Sequence, residues 1–273
     1  MQDPMDRPRL IVFAKYPTPG SVKTRMVPPL TDEQAARLHQ ACLAAVLEQV
    51  LPIKGIDVRL AVSPDDKAAA LAEAVGVRAA WCQPQGEGDL GDRLCRAMTR
   101  AFEEGASAVL FMGADSPALP VEYVQHAIEL LRHDRSEASP VDAVMGPCLD
   151  GGYYLLGVSR SIPALLTGID WGSERVADQT RAGAREAGIT LKELAMSYDV
   201  DRFEDLKHAV SDLLVLSPAG MKSWLGSYHS NWRDMLAAIR RDVNEEDVAD
   251  ANRFPKALAL CGMMLVLLGK NCK

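Results

Sequence analysis

The sequence predicts an α/β protein of three α/β/α layers, with a mostly parallel central sheet and a C-terminal helical extension. Two observations carry this. Short, continuous apolar runs bounded by turn residues recur along the first 214 residues, the pattern of strands buried on both faces. Helical patterns alternate with those runs, which implies right-handed crossovers between parallel strands. Residues 1–214 are read as the principal domain and 215–273 as the extension.

Leu10–Ala14, closed off by Pro8 and Pro17, is the first strand. Thr31 then looks like a helix N-cap, with Gln34 at the capping-box position and Asp32 and Glu33 in the first turn. That helix runs to about residue 51. Ile56–Val62 is a second strand, Asp66–Val75 a helix and Val77–Cys82 a third strand. A polar, Gly-rich loop, Gln83–Gly91, precedes a helix over Leu94–Phe102. Ala108–Met112 is a fourth strand, and Pro120 opens a helix to about Leu131. Val141–Met145 and Tyr153–Val158 are strands joined by a turn. A helix near Glu174–Ala187, a short strand near Ile189–Leu194 and a helix over Phe203–Leu214 complete the pattern.

Composition excludes several classes. Hydrophobic residues make up 48% and charged residues 25% of the 273, which fits a soluble globular protein and not a disordered one. Aromatic residues are only 5% and the net charge is −7, so neither a stacking platform nor a global basic footprint for nucleic acid is present. Six cysteines without a CxxC pair point to a reducing compartment, and the cytoplasm is the expected location. The N-terminus lacks the regions of a signal peptide. Ala257–Gly269 is an uncharged run of 13 residues, shorter than a bilayer span. It could be a packed helix, or a contact to a membrane surface or another subunit.

Four segments carry chemistry. The first is Lys15–Arg25, where the first strand ends. From Arg7 to Thr31 there are five basic residues and no acid. Pro17, Pro19 and Gly20 fix a tight loop, and Gly20 admits close backbone approach to a ligand. Lys15, Lys23 and Arg25 could then converge on a polyphosphate, with Thr24 beside them. A plain basic surface loop is the alternative. Neither GxxxxGK[ST] nor GxGxxG is present at this place. The second segment is Gly113–Pro120, in which Asp115 follows a buried strand, where ligands of such sheets bind. It could hold Mg²⁺ (or Mn²⁺) or cap the next helix. The third is Gly146–Tyr154, where Asp150-Gly151-Gly152 is either a hairpin turn alone or a turn that offers Asp150 as substrate contact or base. The fourth is Tyr198–Leu206, where Asp201 caps a helix or supplies a second metal-binding carboxylate. Asp89, between Gly88 and Gly91, is a weaker candidate for nucleotide contact.

Taken in order, FAKYPTPGSVKTRM, GADSP, GPCLDGGYYLLG and DVDRFEDL resemble the nucleotide-diphospho-sugar transferase superfamily, of glycosyltransferase-A fold, over residues 8–213. Within it the chain is similar to the bacterial glycosyltransferase-like group related to 2-phospho-lactate guanylyltransferase. The resemblance implies a nucleotide over the N-terminal half of the sheet and a divalent ion. It assigns Lys15, Lys23 and Arg25 to the phosphate-contacting loop and Asp115 and Asp201 to the metal. Two departures stand out: Pro-Thr-Pro-Gly replaces the usual Gly-Gly pair, and the DxD of typical glycosyltransferases is missing.

Two chemistries then compete. Nucleotidyl transfer from a nucleoside triphosphate to a small phosphorylated acceptor needs charge neutralisation and in-line alignment, which Lys23, Arg25 and one metal would supply. Glycosyl transfer from a nucleotide sugar to a hydroxyl needs a base, for which Asp150 is the candidate. The basic loop favours the first. A nucleotide-sugar-binding protein without turnover is a third reading.

Overall fold

A computed structural model describes residues 7–132, 140–206 and 209. The extension over 215–273 and its apolar run lie outside the described residues. The elements are β1 (Arg9–Lys15), α1 (Asp32–Val50), β2 (Asp57–Ser63), α2 (Ala68–Val75), β3 (Cys82–Pro84), α3 (Leu90–Glu103), β4 (Val109–Gly113), α4 (Val121–Arg132), β5 (Ala143–Pro147), β6 (Tyr153–Val158), α5 (Val176–Glu186) and β7 (Leu191–Glu193). The seven strands form one sheet in the order β3-β2-β1-β4-β6-β5-β7. Strand β6 is antiparallel to both of its neighbours, and every other pairing is parallel. The carboxyl ends of the parallel strands therefore meet on one edge.

Alternation along the strands sorts the core. Leu10, Val12, Leu60, Val62, Leu110 and Leu155 face one cluster, shared with Leu43 and Val46 of α1, Leu71 of α2 and Ile128 of α4. Ile11, Ala61, Phe111, Met145 and Leu156 face the other, shared with Leu94 and Met98 of α3 and Ala177 of α5. Both faces of the sheet are thus covered, and its strands read as unbroken apolar runs for that reason.

The described chain divides into two compact units. One comprises residues up to Pro17 with Cys42–Asp199, and holds the whole sheet. The other comprises Thr18–Ala41 with the chain from Val200. In the second unit the Thr31 capping box is present: Thr31 N donates to Gln34 Oε1 at 2.9 Å and Gln34 N to Thr31 Oγ1 at 3.3 Å.

Two expectations need correction. Only Cys82 of the expected Val77–Cys82 strand lies in the sheet: a 3₁₀ turn occupies Ala79–Trp81, and the strand is Cys82–Pro84. Here the edge strand has only Leu60–Val62 of β2 to pair with. Helix α3 begins at Leu90 rather than Leu94, since Asp89 and Asp92 form a second capping box.

Strand β4 lies at the centre of the sheet, and Leu110 on it is fully buried. Leu110→Ala is expected to destabilise the protein by roughly 2–5 kcal/mol, from lost transfer energy and a cavity that cannot collapse. Denaturant unfolding should show a lower midpoint at an unchanged slope. A shift under about 0.5 kcal/mol, the scale of surface substitutions, would contradict this placement.

Candidate active site at the carboxyl edge of the sheet

Strand β1 hands the chain to the basic segment at Lys15, an exposed residue at the strand's carboxyl end. Beyond it, Pro19 and Gly20 lie in an exposed turn, with Gly20 at φ 78°. Lys23 follows, the one non-glycine residue at positive φ (50°) among the described residues. Its side chain is buried, and its ammonium donates to the Val200 carbonyl at 2.6 Å. That contact fixes a backbone conformation that a lysine otherwise avoids. Thr24 and Arg25 form a single 3₁₀ turn with Met26. Arg25 Nη1 donates to Asp201 Oδ2 at 2.7 Å, an ion pair across 176 residues. The basic segment and the late acidic segment therefore meet inside the second unit. The Asp201 side chain accepts from Arg25, while its own N–H donates to Asp205 Oδ2 at 3.0 Å. Asp205, rather than Asp201, satisfies the amides that open this last turn.

In the first unit, Asp115 is half-buried just past the end of β4. Helix α4 starts only at Val121, so Asp115 is not its N-cap. A turn closed by Leu119 N and Ser116 O separates the two. Gln49 of α1 donates its side-chain amide to Pro117 O at 2.6 Å and holds that turn in place.

Asp150 sits in the hairpin between β5 and β6, as the Asp-Gly-Gly pattern implied. Asp150 Oδ1 accepts from Gly152 N at 2.9 Å, and Cys148 N donates to Gly152 O at 2.9 Å. Gly151, at φ 88°, gives its carbonyl to Ala177 N of α5 at 2.9 Å. A Cβ there would stand 2.0 Å from the Glu174 carbonyl oxygen, so only glycine allows the approach. The chain after β7 returns alongside, with Leu149 N donating to Ser197 O at 3.0 Å. This brings Asp199 to Asp150. One carboxylate oxygen of each, with the Cys148 sulfur, lie within 4.8 Å of one another. Sequence reasoning did not single out Asp199 or Cys148.

Cys148 is buried, and that burial pushes its thiol pKa up, with the Asp199 and Asp150 carboxylates adding to the rise. The group offers two carboxylate oxygens, which suit a hard cation, beside the Cys148 sulfur. Asp115 and Asp201 are not members of this group.

Asp89 is engaged at the N-terminus of α3. Its Oδ1 accepts from Asp92 N at 2.9 Å, and Asp92 Oδ2 accepts from Asp89 N at 3.2 Å. A carboxylate at that position satisfies the first-turn donors and complements the helix dipole.

With this geometry in view, comparison with known proteins is informative. A candidate nucleotide-diphospho-sugar transferase from Desulfovibrio desulfuricans G20 is 27% identical, covers 96% of this chain and 97% of its own, and superposes with a TM-score of 0.70. This chain has the nucleotide-diphospho-sugar transferase fold. The family described as uncharacterized protein conserved in bacteria (DUF2064) matches residues 46–173. CMP:2-keto-3-deoxy-manno-octonic acid synthetase complexed with CTP shares the fold at 12% identity, covering 77% of this chain and 98% of its own, TM-score 0.50. So does 4-diphosphocytidyl-2C-methyl-D-erythritol synthase from Anaerococcus prevotii DSM 20548, at 12% identity, 78% and 97% coverage and TM-score 0.51. No helix of the described residues is long and apolar enough to cross a membrane.

Asp89→Ala is expected to cost about 1 kcal/mol of stability through loss of the α3 cap, read as a lower denaturation midpoint. Unchanged stability would mean that the capping box contributes nothing.

Proposed function

We propose that the chain is a divalent-metal-dependent transferase that uses a nucleotide donor, and that it transfers a nucleotidyl group from a nucleoside triphosphate to a small phosphorylated acceptor. The observation that carries this reading is the meeting of Arg25 with Asp201 at 2.7 Å. It places a cation of the chain's acid-free basic segment, able to bind phosphate, beside a carboxylate 176 residues further on, able to bind a hard cation.

The roles follow from the side chains. Lys15 and Arg25 bind phosphate oxygens, Arg25 through two donors at once. Lys23 holds the segment against Val200 and adds its charge beneath it. Gly20 and Pro19 shape the loop for close approach of the triphosphate, with Thr24 beside it. Asp115 and Asp201 are the oxygen donors for Mg²⁺ or Mn²⁺; both are carboxylates, as a hard cation demands. When bound, that ion neutralises phosphate charge and polarises the phosphorus under attack. Asp89 acts by fixing the start of α3 next to the nucleotide. An acceptor phosphate is already ionised, so its oxygen attacks without prior loss of a proton, and pyrophosphate leaves.

One observation favours a second reading. Asp150 is exposed at the hairpin, with a carboxylate oxygen within 4.8 Å of one on Asp199. Asp150 could then serve as base for an acceptor hydroxyl in glycosyl transfer from a nucleotide sugar.

Thermal shifts against nucleoside triphosphates and nucleotide sugars, with and without Mg²⁺, separate the two. A ligand at 100 times its Kd stabilises by about 2.7 kcal/mol. The proposal expects an Mg²⁺-dependent shift with a triphosphate, lost in Asp115→Asn at unchanged ligand-free stability. It also expects Arg25→Ala to weaken triphosphate binding by about 1.5–3 kcal/mol, the range for a charged hydrogen bond, and monophosphate binding by less. A response to nucleotide sugars alone would overturn nucleotidyl transfer. Undiminished Mg²⁺-linked affinity in Asp115→Asn would overturn the metal assignment.

A further inference from the structure

Residues 23–25 and 200–201 meet through two contacts of opposite character. The first is a fixture. Lys23 is buried and its ammonium donates to the Val200 carbonyl at 2.6 Å, while Val200, Met26 and Leu206 are fully buried. A carbonyl in such a place has no water to turn to, so the contact is costly to break.

The second contact is loose. Arg25 Nη1 donates to Asp201 Oδ2 at 2.7 Å, and the two side chains keep 54% and 31% of their exposure. Among the described residues, no further hydrogen bond or ion pair involves the Arg25 guanidinium or the Asp201 carboxylate. Aspartate at the start of a turn commonly caps it with its own carboxylate. Here Asp205 does so instead, its Oδ2 accepting from Asp201 N at 3.0 Å and Arg202 N at 2.6 Å. The Asp201 carboxylate is left out of the turn and faces a cation that the chain itself supplies.

We propose that the Arg25–Asp201 pair is an internal stand-in for the ligands, in which each side chain blocks the other until a divalent cation and a triphosphate arrive together. The inference rests on the nucleotide reading above and adds a regulation to it. A lone cation on Asp201 leaves the Arg25 guanidinium without its partner and facing a like charge. A lone triphosphate on Arg25 leaves the Asp201 carboxylate facing an anion. With both bound, each displaced side chain has an opposite charge to turn to, and the two ligands raise each other's affinity by the same factor. The exposure of the pair limits the effect, since an ion pair of this kind is worth up to about fivefold in an equilibrium constant.

The test uses the full chain and each ligand by itself. Binding of Mn²⁺ without nucleotide is read from the electron paramagnetic resonance signal of the free ion. Binding that persists in Asp201→Ala belongs to another site and is subtracted. Arg25→Ala should bind Mn²⁺ alone about two- to fivefold more tightly than the unaltered chain, although it binds the Mg²⁺–triphosphate complex more weakly. Asp201→Ala should bind inorganic tripolyphosphate in EDTA about two- to fivefold more tightly, a second measurement that does not depend on the folding of Arg25→Ala. Arg25→Lys keeps the charge but is shorter and lacks the planar fork, so its Mn²⁺ affinity should lie between those of the unaltered chain and Arg25→Ala. Mn²⁺ affinity in Arg25→Lys equal to that of the unaltered chain would mean that charge alone acts, and would overturn the stand-in. Unchanged affinity for Mn²⁺ in Arg25→Ala and for tripolyphosphate in Asp201→Ala would also overturn it and leave the nucleotide reading standing. Failure of the unaltered chain to bind any Mg²⁺–triphosphate would overturn both.

Discussion

A parallel sheet covered on both faces can present polar chemistry only at its ends. Here α1, α2 and α4 cover one face and α3 and α5 the other. The exposed groups that remain are those of the loops leaving the strands, and the parallel direction of β1, β2, β3, β4, β5 and β7 puts their carboxyl ends together. Lys15 after β1, the Gln85–Gly88 loop after β3, Asp115 after β4 and Asp150 after β5 all follow from that single constraint. Each then needs its own local device to hold it: Gln85 under the β3 loop, Gln49 under the Asp115 turn, and the Gly151 carbonyl against α5.

Energetics distinguish the permanent contacts from the exchangeable ones. Removing the Gln85 side-chain amide takes a partner from three polar groups, at a cost of about 1–3 kcal/mol for each one left buried and unsatisfied. The Arg25–Asp201 pair is different. Its side chains retain 54% and 31% of their exposure, so water screens the attraction and the net stabilisation is about 0–1 kcal/mol. A pair this weak can give up its partners to a phosphate and a cation at little expense. Lys23, buried and fixed to Val200, holds the segment in place.

Much of this was legible in the residues, for physical reasons. Leu10–Ala14 could only be a doubly buried strand, and Thr31 with Gln34 announced a helix start that the hydrogen bonds reproduce. The Asp-Gly-Gly turn between β5 and β6 was equally clear, because positive φ at Gly151 leaves few alternatives. Other features depend on tertiary contacts that no local pattern encodes. Asp89 reads as a weak candidate for nucleotide contact in a polar, Gly-rich loop, although it forms a capping box with Asp92. Gln85 belongs to the polar loop Gln83–Gly91 and yet is buried, since its partners come from strands far away in sequence. Asp199 was passed over for Asp201, two residues on; only the return of the chain beside Leu149 brings it to Asp150. Val77–Cys82 had strand composition, yet only Cys82 pairs with β2, and Ala79–Trp81 forms a 3₁₀ turn.

The account stands on one claim: the front basic segment and the carboxylates Asp115 and Asp201 serve a single metal–triphosphate complex. Diffraction from crystals grown with Mn²⁺ and a non-hydrolysable nucleoside triphosphate tests it most directly, because the anomalous signal of manganese locates the ion without assumption. The account predicts a peak within coordination distance of Asp115 and Asp201, with triphosphate oxygens on Arg25. A peak between Asp150 and Asp199 instead, or a triphosphate away from Lys15 and Arg25, would contradict it.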